Sequence, residues 1–127
     1  MITIQEALEI HKILIEQFSG GSGLRDLSLL ESALQRPFQT FDGSELYSTP
    51  IQKSAVILES IVKNHPFVDG NKRVAIAATE LFLQCNGYRL SADNDALFDL
   101  TMACAASQLG PEEIRIWLEQ HSEREKI

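Results

Sequence analysis

His65-Pro66-Phe67-Val68-Asp69-Gly70-Asn71-Lys72-Arg73 places a histidine, a carboxylate, a glycine–asparagine pair and two cations directly before an alanine-rich apolar run. A residue preceding proline is biased away from helical geometry, so Asn64-His65-Pro66 ends one helix. Asn71 to Cys85 then reads as a central helix, with Ala75, Ala78, Leu81, Phe82 and Cys85 in one apolar band. The small side chains of Ala75, Ala77 and Ala78 permit close approach by neighbouring helices. Asn86-Gly87 stops the helix, because glycine tolerates the left-handed conformation found there. The nine residues therefore occupy a loop–helix junction near the middle of the chain.

Outward from this junction the chain reads as helices. Thr3 and Glu6 can form a capping box for a helix over residues 4–18, where Ala7, Leu8, Ile10, His11, Leu14, Ile15 and Phe18 recur at helical spacing. Gly20-Gly21-Ser22-Gly23 ends it, each glycine costing roughly 1 kcal/mol relative to alanine. Asp26 or Ser28 can start a short helix through Leu29, Leu30, Ala33 and Leu34, which Arg36-Pro37 closes. Residues 38–49 read as a loop or a short hairpin. Pro50 starts the next helix, with Ala55, Leu58, Ile61 and Val62 towards the core. Another begins near Asp93-Asn94-Asp95 and runs to Leu109. Gly110-Pro111 separates it from a last helix anchored by Trp117 and Leu118. Ser122 to Lys126 is expected to fray, and strand-like alternation is expected only within residues 38–49. The expected fold class is all-α, a single domain over residues 1–127.

Composition narrows the function classes. Eleven Lys and Arg against eighteen Asp and Glu give a formal charge of −7, which argues against direct nucleic-acid binding or attraction to an anionic membrane. The N-terminus lacks the basic start of a secretory signal. No segment approaches the roughly 20 apolar residues that span a bilayer. Cys85 and Cys104 sit in apolar surroundings without metal-ligand spacing and are expected to be buried free thiols. A cytoplasmic location is expected.

The junction can bind phosphate locally. Unpaired N–H groups at the start of the Asn71 helix favour an anion, and Gly70 lets backbone approach it closely. Asn71 can cap the helix or bind a phosphate oxygen. Lys72 and Arg73 add charge-assisted contacts. Asp69 would repel phosphate unless Mg²⁺ lay between them. His65 can take a proton near neutral pH and so activate a hydroxyl attacking a bound phosphoryl group. Each residue also has a plainer reading: His65 as a loop or core histidine, Asp69 as a helix cap, and Lys72 and Arg73 as a solvated face. Phe67 reads as a hydrophobic anchor in either case. A His/Asp metal hydrolase has little support, since His11 and His121 are distant in sequence and no His-Glu-x-x-His occurs.

His-Pro-Phe-x-Asp-Gly-Asn-Lys-Arg at residues 65–73, together with Leu24-Arg25-Asp26-Leu27-Ser28-Leu29-Leu30-Glu31-Ser32-Ala33-Leu34, resembles the Fic/Doc family, and within it the Doc-like (death-on-curing) toxin branch. The likeness runs from about residue 3 to residue 120. It implies the compact helical Fic fold, with His65 as base, Asp69 organising Mg²⁺, and Lys72 and Arg73 as phosphate contacts. Phe67, Gly70, Asn71, Lys72 and Arg73 form the implied nucleotide-binding set, and residues around Gln39–Tyr47 the flap that aligns a target.

AMP-transferring members commonly have glycine where Lys72 stands and arginine where Ile76 stands. Lys72 instead resembles the Doc-like kinase arrangement, although Ala77 stands where a characterised Doc kinase has asparagine. The resemblance therefore implies a toxin-type protein kinase that uses ATP and Mg²⁺ to phosphorylate a Ser or Thr hydroxyl. The implied substrate is a cellular protein, a translation factor by analogy. AMP transfer to a protein hydroxyl is the second reading. A non-catalytic phosphate-binding or partner-binding module is the third. No Ser or Thr has Glu four positions later, the spacing of the family's self-inhibitory helix. The implied inhibitor is thus a separate antitoxin protein.

Overall fold

Side-chain caps set where most of the helices begin. Thr3 Oγ1 accepts from the Glu6 N–H at 3.1 Å, and Glu6 accepts in return from the Thr3 N–H at 2.9 Å, which starts α1 (Ile4–Phe18). Asp26, rather than Ser28, caps α2 (Leu27–Gln35); Ser28 donates its hydroxyl to the Asp26 carboxylate instead. Thr49 and Gln52 form the box that opens α3 (Pro50–Asn64), with Pro50 in the first turn, where its missing N–H costs nothing. Then follow α4 (Asn71–Cys85), α5 (Asn94–Ala105), capped by Asp93, and α6 (Pro111–Gln120). These boundaries come from a computed structural model that describes residues 1–125.

The stretch between α2 and α3 resolves as a hairpin. After a single 3-10 turn (Arg36–Phe38), β1 (Thr40–Phe41) pairs antiparallel with β2 (Ser44–Glu45) through Asp42-Gly43. Both turn residues have positive φ, 53° and 80°, as a two-residue turn matched to strand twist requires. Lys53, buried on α3, donates to the Tyr47 carbonyl and lies 3.1 Å from Glu45, so it ties the hairpin to the core.

The packing centre is α3, not α4 as the sequence suggested. Ala55, Val56, Ile57, Leu58, Ile61 and Val62 are all buried, so the helix is covered around most of its circumference and packs on α2, α4, α5 and α6. The buried face of α4 comprises Val74, Ala75, Ala78, Thr79, Phe82 and Leu83. Cys85 lies outside that band and is exposed, correcting the expectation of two buried thiols. Cys104 is buried, and desolvation pushes its thiol up to about 11.

Two other expectations change and one is extended. α5 ends at Ala105, short of Leu109, because Ser107 turns into the left-handed region at φ 60°. In α6, Ile114 joins the expected anchors and is fully buried with Leu118; Trp117 is half-buried, packs against the core and stacks on His121 with ring centroids 3.9 Å apart. Ser122–Arg124 does not fray: it forms β4, which pairs antiparallel with β3 (Tyr88–Leu90). Arg89 opposite Glu123 makes a 3.0 Å ion pair there. Lys126 lies outside the described residues. Among the described residues the fold is all-α, six helices with two small antiparallel ladders. Among the described residues no helix is long and apolar enough to cross a membrane.

Since α3 carries the core, Leu58→Ala should lower unfolding free energy by about 2–5 kcal/mol. Ile13→Ala, on an exposed face of α1, should stay within about 0.5 kcal/mol of the parent. Urea denaturation of the two variants checks the contrast.

Candidate functional site

His65 ends α3 in a left-handed conformation, φ 52° and ψ 55°, which is uncommon for a residue with a side chain. Arg25 holds the chain there. Its Nε donates to the His65 carbonyl at 2.7 Å and its Nη2 to the Asn64 carbonyl at 2.8 Å. The guanidinium thus satisfies carbonyls that the end of α3 leaves open and sets a positive charge at the negative end of its dipole. The His65 side chain is exposed, whereas Pro66 and Phe67 are buried.

The segment before α2 runs alongside the loop. Leu24 and Phe67 form an antiparallel bridge, the Val68 N–H donates to the Gly23 carbonyl, and the Arg25 and Asp26 N–H groups donate to the Pro66 carbonyl. The two stretches that carry the family resemblance, residues 24–34 and 65–73, are therefore bonded to each other. The glycine tract is needed for this approach. A Cβ on Gly20 would sit 2.7 Å from Asp69 Oδ2, and φ there is +129°.

Asn71 closes the loop. The Phe67 N–H donates to Asn71 Oδ1 at 2.9 Å, and Asn71 Nδ2 donates to the Phe67 carbonyl at 3.0 Å. The Asn71 side chain does not cap α4; its buried amide staples the loop. The fully buried Phe67 ring anchors the loop to the core.

What remains free is the start of α4. Gly70 precedes it with φ 80°, and no side chain caps it. The N–H groups of Asn71, Lys72 and Arg73 thus sit at an uncapped helix N-terminus, beside the exposed Asp69 carboxylate. Asp69 Oδ1 accepts from the Gly70 N–H at 2.8 Å, and Oδ2 lies 3.4 Å from the Gly21 nitrogen. Among the described residues no three His, Cys, Asp or Glu side chains gather as a metal site. A lone carboxylate beside an anion-binding helix end suits Mg²⁺, which usually arrives with phosphate and keeps several waters.

Arg73 faces a cavity of about 400 Å³ between α1, α4 and α5. From α4 the wall carries Arg73, Ile76, Ala77 and Glu80; Phe18 and Phe98 come from α1 and α5. The Arg73 guanidinium lies 4.4 Å from the Phe18 ring centroid, a cation–π arrangement that holds it at the rim. Partial burial pushes the Glu80 carboxyl above the usual carboxylate range. Of the residues singled out in the sequence as catalytic or metal-binding, only Arg73 lines this cavity; His65, Asp69 and Lys72 lie outside its wall.

Two contributors were not legible as such in the sequence. Arg25 lies in the stretch at residues 24–34, where nothing in the local sequence gives it a partner. His11 was counted in the apolar stripe of α1, yet it reaches the loop: Nε2 lies 2.8 Å from the Asp69 carbonyl oxygen.

Comparison with known proteins agrees with this architecture. The Fic/DOC family model matches residues 1–83. Over 78 residues the chain is 45% identical to "Toxin Doc" of Mycolicibacterium smegmatis (strain ATCC 700084 / mc(2)155), covering 61% of this chain and 60% of that relative. The match thus spans less than two thirds of that relative's length. It is 30% identical over 108 residues to "Protein kinase doc" of Escherichia phage P1, covering 85% of this chain and 84% of the relative.

Removing the staple should be costly. Asn71→Leu leaves the buried Phe67 N–H and carbonyl unpaired, at about 1–3 kcal/mol each. Arg25→Ala removes two exposed bonds and should cost only about 1 kcal/mol. Chemical denaturation should rank Asn71→Leu as much the more damaging variant.

Proposed function

The chain belongs to the Fic/DOC family, and on that premise we propose that it is a toxin-type protein kinase transferring the ATP γ-phosphate to a Ser or Thr hydroxyl of a cellular protein. The observation that carries this reading is the placement of an exposed histidine at the end of α3 beside the uncapped N-terminus of α4. A proton acceptor and an anion-binding helix end thus flank one short loop, as phosphoryl transfer requires.

His65 takes the proton of the target hydroxyl as its oxygen attacks the γ-phosphorus. The bond from that phosphorus to the β,γ-bridging oxygen breaks, and ADP departs. The α4 N–H groups, Lys72 and Arg73 hold phosphate oxygens and oppose their charge. Asp69 is the residue that would hold Mg²⁺, which supplies further neutralisation of phosphate charge when bound. The β1–β2 hairpin, tied down by Lys53, is the segment that would align the target chain.

Ile76 favours γ-phosphate transfer over AMP transfer. It follows Arg73 along the cavity wall, and with Ala77 and Glu80 it gives that face of α4 one cation. A second phosphate clamp is missing from those four positions, and Lys72 matches the kinase arrangement. The names of the two relatives, a toxin and a protein kinase, support the same reading. A translation factor as target and an antitoxin protein as inhibitor complete the proposal by family analogy.

The test is incubation of the purified protein with Mg²⁺ and α- or γ-labelled ATP in a bacterial lysate. Wild type should label a protein from γ-ATP only, and His65→Ala should lower that by about 10²–10⁴-fold at unchanged soluble yield. Histidine-dependent α-label would move the assignment to AMP transfer.

A further inference from the structure

We infer that His11 is a positioning residue that fixes the Asp69–Gly70 peptide and, through it, the Asp69 carboxylate. His11 lies on α1 and is only 5% exposed. Its Nε2 is 2.8 Å from the Asp69 carbonyl oxygen. A carbonyl has no proton to give, so Nε2 carries the hydrogen and donates it. The ring also stacks on Phe67, centroids 4.1 Å apart and planes within 10°. A Cβ built on Gly70 would sit 3.8 Å from both Cδ2 and Nε2. The imidazole therefore lies directly against the peptide that joins Asp69 to Gly70.

That peptide controls the carboxylate because it is held at both ends. Its carbonyl accepts from His11, while its N–H, that of Gly70, donates to Asp69 Oδ1 at 2.8 Å. Rotating the peptide plane would take both bonds away together. The Gly21 N–H, 3.4 Å from Oδ2, makes only a weak second tether. Packing alone does not call for an imidazole at this position, since a phenyl ring would keep the stack on Phe67 and similar volume. The distinctive contribution of histidine is the N–H donor.

The importance of that donor to nucleotide binding rests on the proposed role of Asp69 in holding Mg²⁺. Its effect on the peptide does not. Two variants separate donor from packing: His11→Phe keeps the stack and loses the N–H, while His11→Gln retains an amide N–H of similar reach. Amide hydrogen exchange of Gly70, followed by NMR without ligand, reads the peptide directly. The expected result is exchange about tenfold faster in His11→Phe and close to wild type in His11→Gln. Unchanged exchange in His11→Phe, or equal acceleration in both variants, overturns the inference.

Calorimetric titration with AMP-PNP, with Mg²⁺ and with EDTA, reads the consequence, using Asp69→Asn as the reference. His11→Phe should lose about tenfold in affinity with Mg²⁺ and little with EDTA, and His11→Gln should recover most of the loss. If Asp69→Asn itself leaves the Mg²⁺ dependence intact, the proposed metal role of Asp69 fails, while the Gly70 exchange still decides the positioning role of His11.

Discussion

The Phe67 backbone, held at both its N–H and its carbonyl by the Asn71 amide, is the constraint on which the surrounding structure depends. Its ring is fully buried and stacked on His11, so the loop is fixed to the core by apolar burial and by two hydrogen bonds that water cannot replace. α3 and α4 pack closely, and the turn between them must satisfy its own polar groups, those of Phe67 away from solvent. It does so by borrowing donors from three directions: Asn71 from α4, Arg25 and its neighbours from the start of α2, and His11 from α1. The result is a rigid loop with its histidine and carboxylate left at the surface.

The charge distribution has the same local logic. A chain with a net charge of −7 is a poor general attractor of anions, yet the first turn of α4 presents unpaired N–H groups with Lys72 and Arg73 beside them. Helix-end electrostatics act within about one turn, so a local anion site can coexist with an acidic surface. Stacking on Phe18 keeps the Arg73 guanidinium at the cavity rim. Ile76 and Ala77 make the next turn of that wall apolar, which confines the cationic character to the start of the helix.

Much of the scaffold was readable along the chain. The bounds of α1, α3 and α4 follow from Thr3, Thr49-Pro50, the His65-Pro66 break and Asn86-Gly87, all of which act within about four residues. Asp42-Gly43 explains the hairpin in the same way. Reading failed where elements are too short to show a period. β3 and β4 have three residues each and lie about 30 residues apart, so neither shows alternation that a lone strand would need. The centrality of α3 is hidden because Val56 and Ile57 fall outside the stripe of Ala55, Leu58, Ile61 and Val62 and are buried only once several helices pack around it.

Sequence alone determined the helical class, the family resemblance and the nine consecutive residues that carry the candidate chemistry. Tertiary structure decided what holds them. His11 reaches Asp69 across 58 residues and Arg25 reaches His65 across 40. The Asn71 amide bonds both the N–H and the carbonyl of Phe67. Caps, prolines and turn glycines act on their immediate neighbours and leave a local imprint in the sequence. A buried carbonyl that needs a donor can draw it from any segment that packing brings near, and no spacing along the chain announces which one.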